Sequence, residues 1–213
     1  MTPGTRLEYE RDGAAIYLQS FATIRSESDL SSTPAELEPV VVRMIHACGM
    51  TDLPPLVAAS PSFLDAGRRA LRAGRAIYCD AMMVANGITR QRLPADNAVR
   101  CTLHDDGVAA DASAAGNTRS AMAVDRWLDD LDGAVAVIGN APTALFRLLE
   151  LILGGGPRPA AIIGMPVGFV GAAESKIALA TMEHGVPFLT VHGRRGGSAM
   201  AVAAVNALAS ERE

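Results

Sequence analysis

The sequence predicts an α/β fold: a doubly wound, three-layer α/β/α sandwich around a mainly parallel five-stranded sheet. Three observations carry that prediction. Short apolar, partly β-branched runs recur at Ala76–Cys79, Val99–Leu103, Ala134–Ile138, Ala160–Ile163 and Pro187–Val191. Helical segments follow several of them, at Thr118–Leu131, Pro142–Leu153, Ala172–His184 and Ser198–Ala209, and this alternation specifies βαβ units. The apolar runs are nearly continuous, as strands covered on both faces must be. The 213 residues, 49% apolar and 20% charged, fit one domain over 1–213.

Ahead of this rhythm, the spacing predicts a helix over Pro34–Cys48. Thr33 and Glu36 form a capping box, Pro34 stands at the first helical position and Gly49 at the left-handed C-terminal position. Leu37, Val40, Val41, Met44, Ile45 and Cys48 make its apolar stripe. Ser60-Pro61 opens a second helix that runs to Gly74. Leu103–Ala115, which contains His104, reads as a variable surface loop, and His104 receives no role.

Composition narrows the function. A net charge of −4 gives no general reason to expect nucleic acid. Met1–Arg11 carries charges and no apolar run, unlike a signal peptide, and no stretch has the length of a membrane span. Cys48, Cys79 and Cys101 are three in number, widely spaced, and read as reduced small hydrophobes of a cytoplasmic protein. Of 19 basic residues only Lys176 is lysine, which leaves 18 arginines. A GC-rich genome accounts for most of them, but arginine also grips carboxylates and phosphates through a planar fork.

Ligands of a doubly wound sheet bind beyond the carboxyl ends of its strands. The segments expected there are Cys79-Asp80-Ala81-Met82, Ala115–Ser120, Gly139–Thr143, Gly164–Gly171 and His192–Ser198. They are rich in Gly, Asn, Thr, Ser and Arg, and four lead directly into helices, whose free N–H groups attract anions. Ordinary strand-to-helix turns need the same residues. Four such loops, two of them with arginines, favour a large polyanionic ligand.

The familiar catalytic motifs are missing. Lys176 lies inside a helix without the glycines of a P-loop, and Gly154-Gly155-Gly156 follows a helix rather than a strand. His46 and Cys48 are two residues apart and point to different helix faces, a poor metal pair. His46 sits roughly 180° from the centre of the apolar stripe, with Arg43 nearer that polar side. A histidine so placed is usually just solvated. In the last helical turn, however, the dipole favours its protonated form, which suits general-acid catalysis.

These segments resemble the precorrin-8X methylmutase family of cobalamin biosynthesis. The likeness is carried by Ala15-Ile16-Tyr17 with Ser20-Phe21, by Arg43-Met44-Ile45-His46-Ala47-Cys48-Gly49, and by Cys79-Asp80-Ala81 through Gly87-Ile88-Thr89. Gly116–Ser120, Gly139–Leu145, Gly164–Lys176 and Gly196–Met200 continue it to the C-terminus. The resemblance implies an isomerase that moves a methyl group from carbon 11 to carbon 12 of precorrin-8X, giving hydrogenobyrinate by an intramolecular 1,5-sigmatropic shift. It implies no cofactor or metal and a homodimer with active sites at the subunit interface; a transient hand-over of product to the next enzyme of the pathway is a further expectation. It makes His46 the catalytic acid and sets Tyr17, Thr89 and Arg119 around the substrate. Precorrin-8X is rimmed with acetates and propionates, which bidentate arginines bind well; Arg119, Arg194 and Arg195 are the candidates. Ser20, Arg43, Asn117, Thr118, Ser120, Asn140, Thr143, Gly168, Gly197 and Ser198 complete the polar and backbone contacts. Met165, Val167 and Phe169, beside Pro166, suit the flat macrocycle. The rivals are a cobalt-precorrin-8 substrate, a non-catalytic corrinoid carrier, and an enzyme of phosphorylated ligands.

Overall fold

The computed structural model describes residues 7–210. Residues 1–6 and 211–213, the ends of the 1–213 unit and part of the Met1–Arg11 segment, lie outside the described residues. One six-stranded sheet organises the chain: β1 (Val57–Ala59), β2 (Ile77–Cys79), β3 (Val99–Arg100), β4 (Val135–Ile138), β5 (Ala161–Gly164) and β6 (Phe188–Val191), in the order β1-β6-β5-β4-β2-β3. The five strands expected from the sequence, β2 to β6, are all parallel to one another. The sixth, β1, was not foreseen; it adds antiparallel to β6 with Ala58 opposite Thr190.

Side-chain alternation divides two cores between the faces of this sheet. Ile77, Cys79, Val135, Val137, Ile163 and Leu189 point into one. It is covered by α1 (Gly13–Glu27), α2 (Glu38–Cys48), α3 (Phe63–Arg72), α4 (Met82–Gly87) and α9 (Ser198–Ala209). Tyr78, Ala136, Ile138 and Ile162 point into the other. There α6 (Arg119–Asp125), α7 (Pro142–Leu153) and α8 (Ala172–Thr181) lie. The three-layer sandwich is therefore as the continuous apolar strands require.

Several element bounds depart from the sequence reading for local reasons. Helix α2 begins at Glu38, not Pro34, and has no side-chain cap from Thr33. Pro39 explains this, because a proline lacking its N–H is accepted only in the first turn. At the other end Gly49 takes the left-handed conformation (φ 69°) and its N–H donates to Ile45 O, as expected. Helix α3 starts late because Ser60 extends the ladder of β1: its N–H donates to Phe188 O at 3.0 Å and its hydroxyl accepts from Phe188 N at 2.9 Å. Helix α6 stops at Asp125, where i→i−3 bonds tighten the turn and send Trp127 into the core. Helix α8 ends at Thr181, and buried His184 meets Leu179 O through Nε2 at 2.7 Å. The 103–115 segment is not only a loop. It holds α5 (Val108–Ala114), which buries Val108 and Ala112, while His104 stays exposed. Among the described residues no helix is long and apolar enough to cross a membrane.

Candidate active site

His46 stands in the last turn of α2. Helix α1, which the sequence reading did not find, packs over it. Asp12 caps α1 by accepting from Ala14 N at 2.9 Å and Ala15 N at 3.3 Å. The helix buries only Phe21 and Ile24, which leaves Tyr17 half-exposed over the imidazole. The Tyr17 and His46 ring centroids are 5.4 Å apart, and Phe21 meets His46 edge-on at 5.2 Å. Beside them runs an open groove of about 430 Å³ lined by Ile16, Ser20, Thr23, Ile24, His46 and Gly49. His46 is thus held by aromatic rings while its surface stays exposed. Arg43 corrects the sequence reading. It lies under Phe21, with the guanidinium carbon 5.5 Å from the ring centroid, and is 9% exposed, because α1 covers the face taken for solvent.

A second group gathers in the loops after β5 and β6. Gly197 N donates to Met165 O at 2.8 Å and Gly168 N to Arg194 O at 3.3 Å. Lys176 Nζ donates to Arg195 O. Lys176 is fully buried, and desolvation pulls its ammonium down to about 8. The Arg195 guanidinium pairs with Asp52 at 2.7 Å and holds that carboxyl below the usual range. This pair ties the segment after α2 to the loop after β6, so the His46 end of α2 shares the carboxyl side of the sheet. Phe169 is 83% exposed, with Arg194 5.3 Å over its ring, and Val167 is exposed beside it. Met165 is corrected: its side chain is wholly buried in the core. Its carbonyl, not its thioether, meets the neighbouring loop.

A third group lies across the sheet. Thr118 caps α6 by accepting from Ala121 N at 3.2 Å, and donates to Thr143 Oγ1 at 2.7 Å. Arg119, Asn117 and Asn140 are exposed and Ser120 is half-buried. Of the four helix starts expected to hold anions, that of α7 is closed. Asp80, 1% exposed, accepts from Gly139 N, Asn140 N and Ala141 N. Thr118 occupies that of α6, whereas α8 and α9 begin at Gly171 and Gly197 without a side-chain cap. Thr89 joins none of these groups. Its N–H donates to Asn206 Oδ1 at 2.9 Å, two turns below the start of α9.

Sequence reasoning gave no role to Asp80, Lys176, Asp52 or Phe21. A charged residue directly after an apolar strand, and the lone lysine of an arginine-rich chain, are the signals that mark the first two.

The fold and these groups define an α/β protein of the doubly wound class. Its carboxyl-edge loops offer guanidinium, amide and hydroxyl donors, and a groove beside them presents an exposed imidazole. Such a site suits an acid-assisted reaction on a large ligand with several carboxylates. The comparisons make this specific. A family model described as precorrin-8X methylmutase matches residues 15–211, and the chain belongs to that family of cobalamin-biosynthesis isomerases. The precorrin-8X methylmutase of Pseudomonas aeruginosa is 61% identical over 207 residues, covering 97% of this chain and 100% of the relative. A cobalt-precorrin-8 methylmutase of Priestia megaterium is 37% identical over 191 residues, covering 89% of this chain and 84% of that one. The crystal structure of a precorrin-8X methyl mutase from Thermus thermophilus superposes with a TM-score of 0.84 at 40% identity. It covers 92% of this chain and 95% of its own.

Proposed function

We propose that this chain moves the methyl group of metal-free precorrin-8X from carbon 11 to carbon 12, with His46 as general acid. One observation carries the assignment of the acid: the imidazole sits at the carboxyl side of the sheet, braced by Tyr17 and Phe21 and open to a groove. Protonated, it donates to the macrocycle near ring C and stabilises the cationic π-system through which the methyl migrates; the proton returns once the shift is complete. Arg119, Arg194 and the amide-rich loops hold the acetate and propionate rim, and Val167 and Phe169 pack against the ring plane. The 61% relative bears the metal-free name and the 37% relative the cobalt one, which supports the metal-free substrate.

The reading includes a homodimer in the cytoplasm that hands its product to the next enzyme of the pathway. Exposed apolar side chains on the His46 side of the molecule, Leu18 and Met83, support a second copy there.

The test is conversion of purified precorrin-8X followed by its visible spectrum, with cobalt-precorrin-8 in parallel. The parent enzyme gives the hydrogenobyrinate chromophore. His46→Ala turns over roughly 10²–10⁴-fold more slowly with hydrogenobyrinate binding retained. Normal turnover by that variant would remove His46 from the chemistry, and faster conversion of the cobalt substrate would reverse the choice of substrate.

A further inference from the structure

We propose that Asp80 is a positioning residue whose buried carboxylate sets the Gly139–Ala141 loop, and with it Asn140, Thr143 and the start of α6, in the arrangement that receives the substrate's carboxylates. This rests on the function proposed above. Asp80 follows the last residue of β2, and its own N–H donates to Val137 O of the adjacent β4 at 3.1 Å. One carboxylate oxygen accepts from Gly139 N at 2.9 Å. The other accepts from Asn140 N at 2.9 Å and Ala141 N at 2.7 Å. The next residue, Pro142, opens α7 and has no N–H. The carboxylate therefore takes up three successive N–H groups at the positive end of that helix.

The place matters as much as the bonds. The order β3-β2-β4 makes the β2–β4 gap the point where the sheet reverses its winding, the usual ligand crevice of such folds. Here the protein supplies its own anion to that crevice. The backbone donors of residues 139–141, just ahead of α7, are consumed internally, so the substrate meets side chains at this point: Asn140, Arg119 and the Thr118–Thr143 hydroxyl pair. That pair joins the two loops, and any shift of residues 139–141 is passed to the start of α6. Burial pushes the Asp80 carboxyl above its ordinary range while the three N–H donors oppose it. An amide in its place turns an N–H₂ toward at least one of the donors.

The experiment is steady-state kinetics and amide hydrogen exchange on the intact protein carrying Asp80→Asn. A positioning role raises KM roughly tenfold and holds kcat per folded molecule within about threefold. It also speeds exchange selectively at residues 116–121 and 139–145. A role in stability alone lowers the active fraction with KM unchanged, and that result overturns the proposal; unchanged KM with unchanged exchange does the same. If Asp80→Asn does not fold, Thr143→Val cuts the link between the loops and must speed exchange at residues 116–121 as well as raise KM, or the proposal fails. Should the parent itself convert no precorrin-8X, the function is wrong, and the exchange data still decide whether Asp80 holds both loops.

Discussion

At the residue scale the buried charges explain more than the exposed ones. Lys176 has no exposed surface, yet it is cationic until its ammonium, lowered from 10.5 to about 8, loses its proton. Its folded value lies below its unfolded one, so between pH 8 and 10.5 the unfolded chain binds the extra proton. Stability from this residue therefore rises with pH across that window and is lowest below pH 8. Cys79, raised by burial, works the other way at alkaline pH, and the contribution of Lys176 is read as a difference. Denaturant unfolding of the parent and of Lys176→Met, at pH 8 and pH 10, should show the parent gaining about 2 kcal/mol on the variant. Parallel pH profiles would mean the ammonium is not desolvated. The same residue braces the loop after β6 through the Arg195 carbonyl, so its charge holds the shape of the loop that carries Arg194 and Arg195.

At the scale of elements, the interlock between the loops after β5 and β6 depends on a missing side chain. Gly196 adopts φ 155°, and a Cβ there would fall 2.8 Å from Pro166 O and closer still to Met165 O. The Met165 carbonyl cannot retreat without breaking its bond from Gly197 N. Gly196→Ala should cost on the order of 3 kcal/mol in chemical denaturation and weaken product binding; a loss below about 0.5 kcal/mol would show that the loops are free to part. Much of this architecture was legible beforehand, and the exceptions have physical causes. Helices α7 and α9 match the expected Pro142–Leu153 and Ser198–Ala209, because a proline or serine start and a long apolar face leave a clear pattern. Helix α1 escaped notice since Ile16, Tyr17 and Leu18 are consecutive and partly exposed, which breaks the helical period. Strand β1 is three residues at an edge, too short for alternation to register. Helix α6 ends short of the expected Leu131 because Trp127 turns into the core, its indole N–H donating to Thr102 Oγ1 at 2.9 Å. In the candidate site, His46 stands out in the sequence by its motif and helix position, and the structure opens it to a groove. The partners of Asp80 do not stand out, because backbone N–H groups leave no trace in the sequence.

At the scale of the whole molecule, the placement of the candidate residues poses a geometric problem. His46, with α1, α2 and α9, belongs to one face of the sheet, and Arg119, with α6 and α7, to the other. A macrocycle touching both must reach over the carboxyl edge of one chain or take one contact from a second copy. Exposed Leu18 on α1 and Met83 on α4 share the face of His46, and a two-fold dimer formed through that face would pair it with itself. In the shared arrangement, each site takes its imidazole from one subunit and its guanidinium from the other. His46→Ala and Arg119→Ala are then each inactive alone. Mixed in equal amounts and allowed to exchange subunits, half of the dimers are heterodimers, and each of these holds one intact site and one doubly deficient site. Activity should recover to about a quarter of the parent level. When both residues serve one site within a single chain, no heterodimer contains an intact site and nothing recovers. A mixture shown by mass spectrometry to have exchanged subunits, yet still inactive, would assign the whole site to one chain and require the macrocycle to span the carboxyl edge alone.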